Sequence, residues 1–210
     1  LDEAVLDDPP HAVSAYERAI AANPNDFLAH FALPFAHLAR GEFGPGDPHA
    51  RRALALDPRS AVIHAGIANY WALAGRKAEA EATATAAIEI DPQYPEGYHM
   101  RGMVRFYQGR YSEALADLVR VPELGTRTAW PLAKLAAAHA ALGHLTEARR
   151  LLGEVTARSQ AEFMTPVAVA CLHLHCGDPD QAMTWLERAA EAQDTWLPFI
   201  GIDPLFAGLH

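Results

Sequence analysis

Cysteine is almost missing from this chain: 210 residues contain only Cys171 and Cys176. The two stand five apart on one predicted helix, which separates their Cα atoms by about 8–9 Å, beyond the reach of a disulfide. Reduced thiols and a cytoplasmic location are the expectation. Long apolar runs are missing as well, since none approaches the roughly 20 residues that a membrane-spanning helix requires. The chain begins at Leu1 with no basic stretch followed by an apolar one, so no secretory signal is expected. Positive charge is scarce, with 17 Lys and Arg against 26 Asp and Glu for a net charge of −9. That balance argues against a nucleic-acid face, which needs clustered cations. No Ser–His–Asp spacing, phosphate-cradling glycine loop or inward carboxylate pair is present either.

What the chain has is a period. Pro24, Pro58 and Pro92 follow one another at 34 residues, preceded by Asn23, Asp57 and Asp91, and Gly41, Gly75, Gly109, Gly143 and Gly177 keep the same interval. Five residues after four of these glycines stand Ala80, Ala114, Ala148 and Ala182. Each element has a physical task. Glycine supplies the positive φ that ends a first helix. Alanine lets a second, antiparallel helix approach closely. Proline after the second helix cannot continue it and pushes the residue before it out of the helical region. One such hairpin cannot bury its own apolar stripe, so successive hairpins must stack. The basic pairs Arg51-Arg52 and Arg149-Arg150 fall on second helices, where a solvated outer face accounts for them. Gly44-Pro45-Gly46 marks a broken helix start, with Asp47 expected as N-cap and Pro48 as first helical residue.

These residues resemble the tetratricopeptide repeat (TPR) over nearly the whole chain. In the unit from Ala61, the family's places are held by His64, Ile67, Ala68, Trp71, Gly75, Ala80, Ala84, Ala87 and Pro92. The unit from Pro95 matches with Tyr98, Gly102, Gly109, Ala114, Leu118 and Val121. Units from Ala129 and Phe163 keep the glycine, the alanine and a large residue (Leu152, Leu186) but lose the proline, and the unit from Phe27 has Gly46 where alanine belongs. The resemblance implies an all-α fold, a right-handed superhelical solenoid of antiparallel helix pairs with a C-terminal capping segment and six second helices. Its divisions are a partial first repeat (1–26), units 27–60, 61–94, 95–128, 129–162 and 163–194, and a capping segment 195–210.

Both ends carry expectations. Residues 11–22 fit a second helix, so Leu1–Leu6 read as the tail of a first helix and the chain as a piece of a longer protein. Trp196, Phe199, Ile200, Leu205 and Phe206 break the period and are too apolar for a free tail, so they are expected to cover the last hairpin. The run from Phe163 onward resembles the closing TPR segment of larger bacterial regulators, which implies a scaffold region beside an output domain.

The function expected is a non-catalytic scaffold, not an enzyme, that binds a protein or peptide in an apolar groove lined by first helices. In the family the lining places correspond here to Leu28, Phe31, Phe35, Leu38, Val62, Ala65, Asn69, Ala72, Glu96, His99, Met100, Met103, Phe106, Tyr107, Trp130, Lys134, Ala137, Met164, Val167, Cys171, Leu174 and His175. The partner-binding candidates are Asn69, His99, Met103, Phe106, Tyr107, Trp130, Lys134, Met164, Cys171 and His175. Phe31, Phe35 and Leu38 are as well explained by contacts with adjacent helices. A clamp of Lys, Arg and Asn for a terminal carboxylate is absent, as only Lys134 and Asn69 stand at such places. No cofactor, catalytic residue, metal, nucleic acid or membrane partner is expected. Cys171-Leu-His173-Leu-His175-Cys176 is the one cluster with metal-ligand residue types. Cys171 and His175 share a helix face while His173 points away. His30, His64, His37, His139 and His173 occupy aromatic places of the repeat and read as packing residues. The alternatives are a small-molecule-binding or accessory domain of an enzyme, and self-association through the terminal repeats.

Overall fold

The computed structural model describes residues 9–159, 164–197, 200–201 and 203–209. Among them every regular element is helical and none is a strand. The helices are α1 (Pro9–Ala22), α2 (Phe27–Ala39), α3 (Asp47–Leu56), α4 (Ala61–Leu73), α5 (Lys77–Ile90) and α6 (Pro95–Tyr107). They continue with α7 (Tyr111–Leu118), α8 (Arg120–Glu123), α9 (Ala129–Ala141), α10 (Leu145–Arg158), α11 (Pro166–His175) and α12 (Pro179–Glu191), and a 3-10 helix (Pro204–Leu209) closes the chain. First helices α2, α4, α6, α9 and α11 alternate with second helices α1, α3, α5, α7–α8, α10 and α12. Leu1–Leu6 lie outside the described residues. Two compact units divide the chain at Leu1–Val104 and Arg105–His210.

Each first helix ends in the same way. At the end of α4, Gly75 takes φ +74, its N–H bonds the Ala72 carbonyl at 3.1 Å, and the Arg76 N–H reaches back to the Trp71 carbonyl at 2.8 Å. Only a residue without Cβ adopts that left-handed geometry cheaply. The other four glycines of the period have φ between 71 and 82. Where the second helix crosses the first, Ala80, Ala114, Ala148 and Ala182 are fully buried. At Gly46 the approach is closer still: a Cβ there would lie 2.7 Å from the Pro34 Cα and 2.7 Å from the Tyr70 hydroxyl. Glycine replaces alanine at that crossing because α3 meets the backbone of α2.

That close approach changes one expectation. Asp47 is not the N-cap; Gly46 is, and α3 starts at Asp47 itself. The Asp47 carboxylate turns away from its own helix to accept the Tyr70 hydroxyl at 2.7 Å, and it also pairs with Arg76. In this first unit Phe27, Phe31 and Phe35 form a ladder of rings 5.9 and 5.8 Å apart, which ends edge-on against Tyr70 at 6.0 Å. The Phe31 ring lies on Gly66 of α4, where a Cβ would come within 2.6 Å of it. Phe31 and Phe35 thus pack between α2 and α4. Trp71 is buried, with the guanidinium groups of Arg51 and Arg76 at 5.2 and 5.5 Å from its ring.

The second unit has an alanine-rich core, including Ala133, Ala136, Ala137 and Ala138 of α9, around Leu132, Leu151 and Leu172. Its first second-helix is interrupted at Val119, between α7 and α8. Pro122 explains the interruption, since it has no N–H to offer the Leu118 carbonyl one turn back. Arg105 and the buried Asp117 join α6 to α7 through an ion pair of 2.8 Å.

Candidate functional site

The first helices of the second unit bring together side chains that are far apart in the chain. Phe106 and Tyr107 end α6, Trp130 and Lys134 lie one turn apart at the start of α9, and Cys171 and His175 share one face of α11. The Phe106 ring meets His175 edge-on at 6.5 Å, although the two are separated by two periods of sequence. The Lys134 ammonium stands 5.3 Å from the centre of the Trp130 ring.

The segment after α12 lies on these residues. Gln193 turns the chain with φ 51, and the Asp194 carboxylate accepts the Val167 N–H in the first turn of α11 at 3.2 Å. Trp196 packs on Trp130 with ring centres 5.3 Å apart. Asp203 Oδ1 accepts both the Tyr107 hydroxyl at 2.8 Å and the Leu205 N–H at 2.9 Å. His175 Nε2 donates to the Leu205 carbonyl at 3.0 Å. Leu205 and Phe206 are 1 % and 2 % exposed, inside the core of the unit. Ile200 packs partly buried against the same core, and Phe199 lies outside the described residues.

Electrostatics follow from that burial. Desolvation, reinforced by the charge of Asp203, pushes the ionisation of both Tyr107 and Cys171 far up. Burial lowers the pKa of His175, partly offset by its bond to the Leu205 carbonyl. A thiol held protonated beside a neutral imidazole is poorly placed for nucleophilic attack. What the group offers is shape, apolar area and hydrogen-bond donors, two of which, the Tyr107 hydroxyl and the His175 N–H, meet the closing segment. Among the described residues no group of three His, Cys, Asp or Glu could hold a metal ion. His173, the other imidazole of that stretch, lies 3.7 Å from Asp178.

Of the ten partner-binding candidates, Phe106, Tyr107, Trp130, Lys134, Cys171 and His175 fall in this assembly. Cys171 exposes no surface, and Met164 in the same unit is 7 % exposed. In the first unit Asn69 is half-buried, while His99 and Met103 are buried. The exposed apolar side chains of the first unit's first helices are others: Leu28 is 65 %, Val62 55 % and Leu73 45 % exposed. Leu28 and Val62 hold the repeat place of Trp130, and Leu73 that of Tyr107 and His175. Asp194 and Asp203 are functional candidates that sequence reasoning missed. The signal for Asp203 was its place before proline in a segment already marked as apolar and out of period.

Among the histidines at aromatic places, His64 Nδ1 reaches the Ser60 carbonyl at 2.9 Å and His30 Nε2 the Pro24 carbonyl at 3.2 Å. No helix among the described residues is long and apolar enough to cross a membrane.

Residues 35–95 and 128–163 match the tetratricopeptide repeat family. A FAM10 family protein of Arabidopsis thaliana is 36 % identical over 81 residues, which is 39 % of this chain and 18 % of that protein. The chain thus spans under a fifth of that curated relative. Among solved structures, PilW, a type IV pilus biogenesis factor, is 20 % identical with a TM-score of 0.66, covering 97 % of this chain and 91 % of its own. YrrB, a TPR protein with an unusual peptide-binding site, is 20 % identical with a TM-score of 0.54, covering 90 % of this chain and 98 % of its own. Likeness at that identity speaks for the fold alone. The family matches and the glycine-closed helix pairs agree: residues 35–95 and 128–163 of this chain are tetratricopeptide repeats.

Proposed function

We propose that this chain is a non-catalytic scaffold that holds a protein or peptide segment against the apolar side of its first helices, as a region of a larger bacterial regulatory or signalling protein. The observation that carries the reading is the exposure of Leu28, Val62 and Leu73 at 65 %, 55 % and 45 %. Large aliphatic side chains kept in water at repeated places of neighbouring first helices are the kind of surface a partner covers. Their counterparts in the second unit, Trp130, Tyr107 and His175, are already covered by other parts of the chain. The closing segment's likeness to that of larger bacterial regulators supports the cellular context.

The test is selection from a random peptide library on the intact chain, repeated on the double variant Leu28→Asp, Val62→Asp. Selected peptides should be apolar or aromatic, should bind with little dependence on salt, and should be lost on the variant. Peptides that bind both proteins alike would place the partner elsewhere.

A further inference from the structure

The C-terminal segment does not behave as one more repeat. Its last described turn is a 3-10 helix rather than half of a hairpin, and its polar contacts reach 96 residues back to Tyr107 and 30 residues back to His175. Both recognising side chains stand at the thirteenth place of their repeats, where the first unit has Leu73, an aliphatic residue with no donor. The second unit's face therefore carries chemistry that the first lacks. The tyrosine hydroxyl meets a carboxylate, the imidazole N–H meets a backbone carbonyl, and Leu205 and Phe206 enter a closed apolar core. Asp203 also accepts the Leu205 N–H, so its carboxylate fixes the turn that presents Leu205 and Phe206.

We propose that Asp203–Phe206 is an internal ligand. The second unit's inner face is a recognition site for a segment bearing an aspartate followed two and three places later by leucine and phenylalanine, and the chain's own tail keeps it occupied until a partner segment of that chemistry takes its place. The proposal rests on the scaffold reading above. Its physical content is a competition. A segment tethered by a short linker acts at an effective concentration on the order of millimolar, so a free segment of about micromolar intrinsic affinity is suppressed about a thousandfold. The site is silent toward weak ligands and open to those that exceed the tail or that meet a weakened tail.

The probe is a fluorescent peptide corresponding to residues 194–209, added to the full chain. Wild type should bind it weakly. The full-length double variant Leu205→Asp, Phe206→Asp, whose tail cannot enter the core, should bind it at least a hundredfold more tightly. A peptide with Asp203→Ala should then bind about tenfold more weakly, the worth of a hydrogen bond to a charged acceptor. That discrimination should vanish when Tyr107→Phe is added to the protein, which a merely structural role for Tyr107 does not predict. Equal binding to wild type and double variant overturns the proposal, as does a helical, cooperatively melting double variant that binds nothing. Discrimination against the Asp203→Ala peptide that persists without the Tyr107 hydroxyl overturns the assigned contact. If the double variant fails to fold, full-length Asp203→Ala decides: it should take up more wild-type peptide than wild type does, and no gain refutes the idea. A wild-type chain that elutes as a dimer through exchanged tails would make the occupant a second copy and overturn the partner assignment. None of these outcomes touches the selection on Leu28 and Val62, so the two readings fail separately.

Discussion

Alanine at position 46 should destabilise the protein, although alanine is what five other periods carry at that place (Ala12, Ala80, Ala114, Ala148, Ala182). The new Cβ would lie 2.7 Å from the Pro34 Cα and 2.7 Å from the Tyr70 hydroxyl. Ordinary carbon contacts are about 3.5–4.0 Å, so either α3 moves about 1 Å from α2 or Tyr70 leaves its place. A backbone atom of proline cannot swing aside as a side chain can. Overpacking of this kind costs about 1–3 kcal/mol, and displacing Tyr70 weakens its 2.7 Å bond to the Asp47 carboxylate, worth about 1.5–3 kcal/mol. Against this stands the usual gain of about 0.4–1 kcal/mol from reducing the freedom of the unfolded chain. The net expectation is a loss of about 2–4 kcal/mol, read as a fall of about 4–16 °C in Tm for a chain of this size. Gly153→Ala is the control. Its Cβ meets nothing within 4 Å in the middle of α10, so helix propensity alone should stabilise by about 0.5–1 kcal/mol. Thermal and urea unfolding followed by far-UV circular dichroism measure both. A Gly46→Ala protein that melts at or above wild type would show that the crossing has room, and the argument from close approach would fail.

Burial lowers the pKa of His49, His139, His173 and His175, so below about pH 6.5 the unfolded chain binds more protons than the folded one. The urea midpoint should be flat above about pH 7.5 and fall as pH drops through 6.5; a midpoint that rises on acidification contradicts this. The Cys171 thiol, fully buried and with its ionisation pushed up, should resist iodoacetamide in the native protein and react only after unfolding; rapid native labelling at that residue, read by mass spectrometry, would overturn it. Removing residues 195–210 strips Leu205 and Phe206 from the core, so the truncated chain should melt at least several degrees lower and aggregate. An unchanged melt of a monomer would deny the tail its place.

The repeat was legible because its signals are local. A glycine that must take φ near +74 and an alanine that must fit under a neighbouring helix each leave a mark at a single position, and the interval multiplies the mark. Gly46 was visible as a departure from alanine, but the reason for it, the backbone of Pro34 at the crossing, was not. Asp47 misled for the same reason: the short acidic residue before a proline is an ordinary N-cap, and the Tyr70 hydroxyl arriving from α4 and the Arg76 guanidinium draw its carboxylate away. Pro122 sits inside a second helix without disturbing the spacing of glycine and alanine, so the break at Val119 left no trace in the period. The tail was recognisable as apolar and out of register. Its destination depends on Tyr107, 96 residues earlier, and no local pattern encodes a pairing that distant.

The lock at the end of each first helix uses no side chain of the residue that follows the glycine. Glu42, Arg76, Arg110, His144 and Asp178 all close it with the same backbone N–H, at 2.8 to 3.0 Å from a carbonyl five residues back. The hairpin therefore sets no requirement on what those five side chains are, and they have diverged: Glu42 accepts from His37, Arg110 pairs with Glu113, and Asp178 caps the next helix through the Gln181 N–H. Each turn is a fixed mount with an interchangeable head. Substitutions there can rewrite the charge displayed at each turn, acid to base to imidazole, while the helices behind it keep their register.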